Sequence, residues 1–157
     1  MKRLLAVLGI LCLGWMTAAG RAAEPPATNA PAADLAAIQG RWRLTAGERD
    51  GAAFTPEFMT NSTRVATGNQ TTVTIRGQLI MKARFTLNPA KRPKEIDYDV
   101  SGGPYSGAIQ WGIYEITGDE VKFCFSTPGE KRPANFKTKK GDGKTVSVWT
   151  REKPATP

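Results

Sequence analysis

The sequence contains no histidine, and this excludes much of the common chemistry of enzymes. Without His, neither a Ser–His nor a Cys–His pair can form. A zinc site would lack its commonest nitrogen ligand. There are two cysteines, Cys12 and Cys124, and because Cys12 lies in a segment that we expect to be removed, no disulfide framework is available. The sequence therefore predicts a protein that is not an enzyme and has no cofactor and no metal site.

No apolar run in the sequence is long enough to span a bilayer. The longest, residues 4–16, has 13 residues, whereas a membrane-spanning helix needs about 20. It follows the basic residues Lys2 and Arg3, and it precedes small residues that fit cleavage after Ala19 or Ala23. This order is typical of a secretory signal peptide. We predict that residues 1–23 are removed, and that the mature protein is exported, periplasmic or secreted, with no transmembrane segment.

Acidic residues are scarce, since 14 Asp and Glu stand against 22 Lys and Arg. From Glu24 onward the chain has 19 bases, 14 acids and a net charge of +5. Such an excess suits weak attraction to anionic surfaces, but nucleic-acid binding needs bases clustered on one face, so we expect no nucleic-acid partner. A basic run allows either a surface for an anionic envelope polymer or ordinary lysines that keep sheet edges from pairing. Its members are Lys131, Arg132, Lys137, Lys139 and Lys140.

The segment behind the signal peptide lacks large apolar side chains. Residues 24–33 are rich in Ala and Pro, and such a segment buries too little surface to order itself, which predicts a flexible linker. Asp34 then caps a short helix over residues 35–39. The folded domain is predicted to cover residues 34–153, and residues 154–157 are expected to fray.

The clearest local pattern is a β-hairpin formed by residues 109–116 and 121–125. Gly118 and Asp119 form its two-residue loop, a strong hairpin signal between two β runs. This loop sets the register, because a one-residue slip would turn every side chain to the other face. The predicted pairs are Ile116–Val121, Glu115–Lys122, Tyr114–Phe123, Ile113–Cys124 and Gly112–Phe125.

Short strands recur along the rest of the domain. They are predicted over residues 40–46, 63–66, 71–75, 79–87, 95–100, 109–116, 121–125 and 145–151, with a further short strand around Phe136. Many short strands at this spacing predict an antiparallel sandwich or barrel. We expect an all-β, eight-stranded antiparallel barrel, either closed or open along one seam. Its predicted interior comprises Trp42, Leu44, Val73, Ile75, Leu79, Met81, Phe85, Ile96, Tyr98, Tyr114, Ile116, Val121, Phe123 and Phe125.

Two features at the ends of this domain resemble the lipocalin-like barrel. Gly40-x-Trp42 opens the first strand after a short helix, and Arg151 lies near the end of the last strand. The resemblance implies that Arg151 stacks on the Trp42 ring and closes the barrel, a cation–π contact. Trp149 shares the face of Arg151 and is the competing partner for it.

A second resemblance covers about residues 35–151 and rests on several spaced motifs in order. They are Gln39-Gly40-x-Trp42, Glu48-Arg49-Asp50-Gly51, Phe85-x-Leu87-x-Pro89, Lys94-x-Ile96-Asp97, Gly112-Ile113-Tyr114-Glu115, Lys122-x-Cys124-Phe125 and Pro128-Gly129-x-x-Arg132-Pro133-x-x-Phe136. Together they resemble a family of short exported domains of unknown function from planctomycete bacteria. The resemblance implies a lipocalin-like fold and a bacterial source, and no catalytic residues. Residues 60–70 depart from it, being polar where a more apolar strand is expected.

These observations predict a monomeric binding module for a small apolar or amphipathic ligand. An eight-stranded barrel is just wide enough to be filled by its own side chains or to hold one small molecule. The side chains expected to contact the ligand are Trp42, Met81, Phe85, Tyr98, Tyr114, Phe123 and Phe125. The alternative is an envelope-associated interaction protein that binds an anionic polymer, or a protein partner, through the basic run. On the outer face, Trp111, Ile113 and Cys124 form an apolar patch that must be covered.

Overall fold

The computed structural model describes residues 30–153, and antiparallel strands dominate this range. The helices are α1 (Ala30–Ala37) and α2 (Pro56–Thr60). The strands are β1 (Gly40–Arg49), β2 (Ala52–Ala53), β3 (Ser62–Thr67), β4 (Gln70–Ile75), β5 (Gln78–Asn88), β6 (Lys94–Gly102), β7 (Ile109–Thr117), β8 (Glu120–Phe125) and β9 (Thr145–Arg151). The predicted signal peptide, the linker up to residue 29 and the frayed tail lie outside the described residues.

The sheet closes into a barrel because β1 pairs with both β3 and β9. From β3 to β9 each strand pairs with the next, and β9 returns to β1 along nearly its whole length, from Trp42↔Arg151 to Arg49↔Thr145. Eight strands thus form a closed antiparallel barrel, and β2 adds a short pairing at the end of β1. The predicted all-β barrel is confirmed, and the seam is closed.

The β7–β8 hairpin has the predicted register. Tyr114 lies opposite Phe123 and Glu115 opposite Lys122, and the other three predicted pairs are also present. Gly118 in the turn has a φ of +58°, which glycine adopts without a steric penalty. Gly112 has a packing role, because a Cβ there would lie 2.4 Å from the Phe125 ring.

Most of the predicted interior is buried inside the barrel. The buried members are Trp42, Leu44, Phe85, Ile96, Tyr98, Tyr114, Val121, Phe123 and Phe125, while Val73, Met81 and Ile116 are partly buried and pack against them. The core also includes residues outside the predicted interior set, namely Ile38, Ala66, Ala83, Val100 and Trp149. Ile75 is partly exposed and lies next to α2, outside this cluster.

Leu79 was predicted to be interior, and this is wrong, since it is 47% exposed. The cause is a β-bulge in the β4–β5 hairpin, where Val73 pairs with Met81 but Thr74 pairs with Leu79. Ile80 is the extra residue. A bulge inserts one residue into one strand only, so the side-chain alternation of β5 changes phase there and Leu79 turns to the outer face.

The first helix begins at Ala30, five residues earlier than the predicted start at residue 35, so residues 30–33 belong to it and not to the linker. Asp34 therefore lies within α1 and does not cap it. Its carboxylate accepts hydrogen bonds from Lys94 Nζ at 2.8 Å and from the Tyr114 hydroxyl at 2.6 Å. Burial, and then the Asp34 carboxylate, raise the pKa of Tyr114. The effect of these bonds is to attach α1 to the end of the barrel.

The segment 126–144 covers the outer apolar patch of the β7–β8 hairpin. Phe136 packs against Ile113, Cys124 and Val146, which are all buried. Residues 134–137 do not form the predicted strand, and Phe136 covers this patch from an irregular segment. Burial raises the pKa of the Cys124 thiol to about 11, which keeps it in its unreactive form at neutral pH. Trp111 remains 38% exposed.

Candidate ligand-binding cavity

One end of the barrel, here called the floor, is closed by Trp42 and Arg151. Trp42 is fully buried, and its indole Nε1 donates to the Ile38 carbonyl at 3.0 Å. The Arg151 guanidinium carbon lies 4.2 Å from the centroid of the Trp42 ring. The contact implied by the lipocalin resemblance is therefore present, whereas Trp149 points its Nε1 at the Ser147 hydroxyl, 2.9 Å away.

Arg151 also holds α1 against the floor. Its guanidinium donates to the carbonyl of Ala37 at 2.7 Å, to the carbonyl of Gln39, and to Asp119 Oδ1 at 3.0 Å. The carbonyls at the end of a helix lack partners within the helix. Arg151 thus donates hydrogen bonds to carbonyls at the end of α1. It also pairs with the carboxylate of Asp119 in the β7–β8 turn.

The opposite end, here called the mouth, contains a cavity of about 300 Å³. This volume is at the lower end of the range for small-molecule sites, about 300–1,000 Å³. Its apolar lining comes from Val73, Ile80, Met81, Val100, Pro104, Phe125 and Trp149. Its polar lining comes from Arg49, Arg64, Tyr98, Tyr105, Gln110, Thr145 and Ser147.

The structure divides the predicted ligand-contacting residues into two groups. Met81, Tyr98 and Phe125 line the cavity. The other four do not, and their assignment to the ligand site is corrected: Trp42, Phe85, Tyr114 and Phe123 are buried in the core and do not reach the cavity. The reason is steric, because these large rings pack against one another in the core and do not extend to the mouth.

Arg64 is the unexpected polar residue of the barrel interior. Ser62, Arg64 and Ala66 alternate inward along β3, and Arg64 is only 2% exposed. Its guanidinium carbon lies 4.1 Å from the centroid of the Phe123 ring, and its Nη2 donates to the hydroxyl of Tyr98. Arg64 therefore extends across the interior, with its guanidinium between the packed core and the cavity.

The charge of Arg64 has no acidic partner among the described residues. Every salt bridge found within residues 30–153 involves other side chains, and the buried Arg64 Nε has no hydrogen-bond partner. Burial raises the pKa of Tyr98, although the Arg64 charge and its hydrogen bond act in the opposite direction. Tyr98 is thus a neutral phenol at physiological pH and leaves the cation uncompensated.

At the mouth, the end of β1 contacts the β6–β7 loop. Arg49 Nη2, at the end of β1, donates to the hydroxyl of Tyr105 in the β6–β7 loop at 3.3 Å. The same loop approaches the bulge of β5 closely, because a Cβ on Gly103 would lie 2.0 Å from the Ile80 carbonyl oxygen. Gly103 has a φ of +94°, so glycine fits both the conformation and the space.

The predicted anionic-polymer surface loses one member in the structure. Arg132 donates to the carbonyls of Gly112 at 2.6 Å and Ile96 at 3.2 Å, and it lies 2.5 Å from Asp97 and 3.6 Å from Glu95. It is an anchor for the segment 126–144 and not a free surface cation. The four lysines of the basic run, Lys131, Lys137, Lys139 and Lys140, are exposed.

Arg64 was not predicted as an interior residue, because the strand over residues 63–66 lies in a region that is polar where a more apolar strand is expected. The sequence did contain the two-residue alternation of a strand here, since Ser62, Arg64 and Ala66 alternate with Thr63 and Val65. Alternation alone leaves open which set faces inward. The pairing of Arg64 with Val73 on β4 and with Trp42 on β1 decides it.

Comparisons with protein-family models, with curated proteins and with solved structures found no match. The resemblance to exported planctomycete domains therefore stays a prediction from sequence motifs. Neither helix within residues 30–153 has the length and apolar composition that crossing a membrane requires. In the same range, no group of three His, Cys, Asp or Glu residues is placed to hold a metal ion.

Proposed function

We propose that this protein is an exported, non-catalytic binding module that holds one small amphipathic molecule in the barrel. The observation that carries the proposal is the cavity of about 300 Å³ at the mouth, with an apolar wall and the buried guanidinium of Arg64 at its inner end. Concave, mostly apolar sites with a few convergent polar groups are the usual form of small-molecule sites. The exposed lysines of the basic run are not among the residues that line this cavity, and we therefore favour the cavity.

The residues around the cavity support the non-catalytic part of the proposal. The chain has no His, and the described residues that line the cavity include no Asp, Glu, Cys or Lys. The hydroxyls of Ser147 and Thr145 thus have no general base among these side chains, and an unactivated hydroxyl is a weak nucleophile. The lining is suited to holding a molecule rather than to transforming it.

Export is the second part of the proposal, and it rests on residues 1–23. Expression of the full chain in a Gram-negative host should give a mature periplasmic protein whose N-terminus, determined by Edman sequencing, lies between Gly20 and Glu24. A Leu8→Arg variant, with a charge inside the apolar run, should stay unprocessed, because the signal needs an uninterrupted apolar segment. Recovery of the wild-type chain with residues 1–23 still attached would contradict export.

Ligand uptake tests the binding part directly. The mature protein should bind the neutral probe N-phenyl-1-naphthylamine with enhanced fluorescence, since its rings can enter the apolar cavity. A Met81→Trp variant, which fills the cavity, should bind the probe at least about tenfold more weakly, because it removes the space in which apolar area is buried.

The matched control is Lys82→Trp, which adds the same ring at the neighbouring, exposed position of β5. It should bind the probe like the wild type. Native mass spectrometry of protein purified from its host should also show a small molecule retained. Absence of probe binding, together with a clean apo mass, would contradict the proposed function.

A further inference from the structure

We infer that the ligand is a monoanion, a carboxylate with an apolar tail, whose head group binds at Arg64. This inference rests on the proposed binding function and names the chemical class of the ligand. It starts from the fact that Arg64 is 2% exposed while no acidic side chain of the described residues pairs with it.

Burying a charge without a counter-charge is costly, and proteins nearly always pair such groups. Within the described residues, two aromatic residues compensate the guanidinium, whose carbon also lies 5.6 Å from the centroid of the Tyr98 ring. One is Phe123, through the face of its ring at 4.1 Å, and the other is Tyr98, through its hydroxyl. Neither carries a negative charge, and Nε has no acceptor. The site is therefore complementary to one anion, which residues 30–153 do not supply.

The arrangement of the cavity orients such a ligand. Arg64 and Tyr98 form its inner end, whereas Ile80 and Pro104 lie near the mouth and are at least one-third exposed. A head group on Arg64 would place an apolar tail along Met81, Val100, Phe125 and Trp149. The neutral Tyr98 hydroxyl can donate a hydrogen bond to the same anion, while it still accepts one from Arg64 Nη2.

A carboxylate fits this site better than a phosphate monoester. The planar guanidinium matches the two oxygens of a carboxylate, and one buried cation neutralises one negative charge. A phosphate monoester carries a charge near −2 at neutral pH and would leave the second charge in an apolar cavity. The second lining arginine, Arg49, is exposed at the mouth and already donates to Tyr105.

The first experiment compares four ligands of equal chain length on the wild-type protein by displacement of N-phenyl-1-naphthylamine. They are decanoate, decanol, decylamine and decyl phosphate. Decanoate should bind at least about tenfold more tightly than decanol, because a charge-assisted hydrogen bond to a buried guanidinium is absent for the alcohol. Decylamine should bind most weakly, since it adds a second cation beside Arg64.

The outcomes separate the claim that the cavity binds a ligand from the claim that Arg64 binds a carboxylate head group. If none of the four ligands displaces the probe and the probe itself does not bind, the proposed function fails. If decanol binds as tightly as decanoate, the cavity stands but the anionic head group is overturned. If decyl phosphate binds more tightly than decanoate, the site takes an anion but the carboxylate class is overturned.

The second experiment uses Arg64→Met, which replaces the cation by an apolar side chain of similar length. It should abolish the preference for decanoate over decanol while decanol still binds. The unliganded variant should unfold at the same temperature as the wild type or higher, because replacing a buried charge by an apolar group is often neutral or stabilising. A matched control, Arg84→Met on the exposed face of β5, should keep the preference.

A purely structural role of Arg64 predicts the reverse pattern. Arg64→Met would then lower the unfolding temperature and leave the decanoate preference intact, which would overturn the inference. If Arg64→Met does not fold, the four-ligand comparison on the wild-type protein decides the question without any variant.

Discussion

Replacing Trp42 by alanine should lower the free energy of unfolding by about 4 kcal/mol, as expected for a fully buried Trp→Ala change. Trp42 is 0% exposed and fills the floor beneath α1, where its ring contacts Arg151 and its Nε1 reaches the Ile38 carbonyl. The change removes a large apolar contact and leaves a cavity that the rigid barrel cannot collapse. Equilibrium unfolding in urea, followed by circular dichroism, measures it.

Arg151→Ala tests the other partner of the Trp42 contact and should lower the free energy of unfolding by about 2 kcal/mol. It removes the cation–π contact with Trp42 and the hydrogen bonds to the carbonyls of Ala37 and Gln39, each worth about 1 kcal/mol. The matched control is Arg41→Ala. Arg41 is a neighbour of Trp42 on the outer face, and its exposed pair with Glu152 should contribute less than about 1 kcal/mol. Equal effects of the two arginine changes would show that the floor contact does not stabilise the barrel.

Gly103→Ala should destabilise the protein by about 3 kcal/mol, the second large effect that we expect. The new Cβ would lie 2.0 Å from the Ile80 carbonyl oxygen and 2.7 Å from its carbon, and both are backbone atoms. The β6–β7 loop or the β5 bulge must therefore move, in addition to the cost of a non-glycine residue at a φ of +94°. Urea unfolding measures the loss, and weaker probe binding should accompany it, because Ile80 lines the cavity.

Gly107→Ala is the control that separates conformational strain from collision. Gly107 lies in the same loop with a φ of +88°, and nothing lies within 4 Å of a Cβ there. Only the cost of the positive φ remains, about 1 kcal/mol. If both variants lose the same stability, the close approach of the loop to Ile80 has no energetic consequence.

The two ends of the barrel have different roles, and this separation makes the proposed function physically consistent. The floor is packed with large rings and closed by the Trp42–Arg151 contact, so it supplies stability. The mouth is bordered by a bulge, a glycine-dependent loop and the Arg49–Tyr105 contact, and it contains the free volume and the uncompensated charge of Arg64. Variants at the floor should therefore change stability, and variants at Arg64 should change ligand preference.

Several features of the fold could be predicted from the sequence because local chemistry specifies them. The two-residue turn at Gly118 and Asp119 sets the β7–β8 register, and alternation on both sides of the turn agrees with it. The Trp42–Arg151 contact is not local: the lipocalin resemblance implied it, with Trp149 as the competing partner, and it forms because closing the meander brings the first and last strands together. The first helix begins five residues earlier than predicted, because Asp34 was assigned to a cap when it in fact bonds to Lys94 and Tyr114.

The candidate site, in contrast, was decided by the tertiary structure. Alternation along one strand divides its side chains into two faces, but the pairing with neighbouring strands determines which face is inside. This is why Arg64 lies inside the barrel and Leu79, beyond a one-residue bulge, lies outside. Local sequence patterns predicted the recurring strands and the register of the β7–β8 hairpin. Closure of the barrel, and the choice of Trp42 over Trp149 as the contact of Arg151, were left open by the sequence and decided by the tertiary structure. The position of the cavity in the barrel, and the presence of Arg64 beside it, depend on how side chains from many strands pack together. No single segment of the chain encodes that packing.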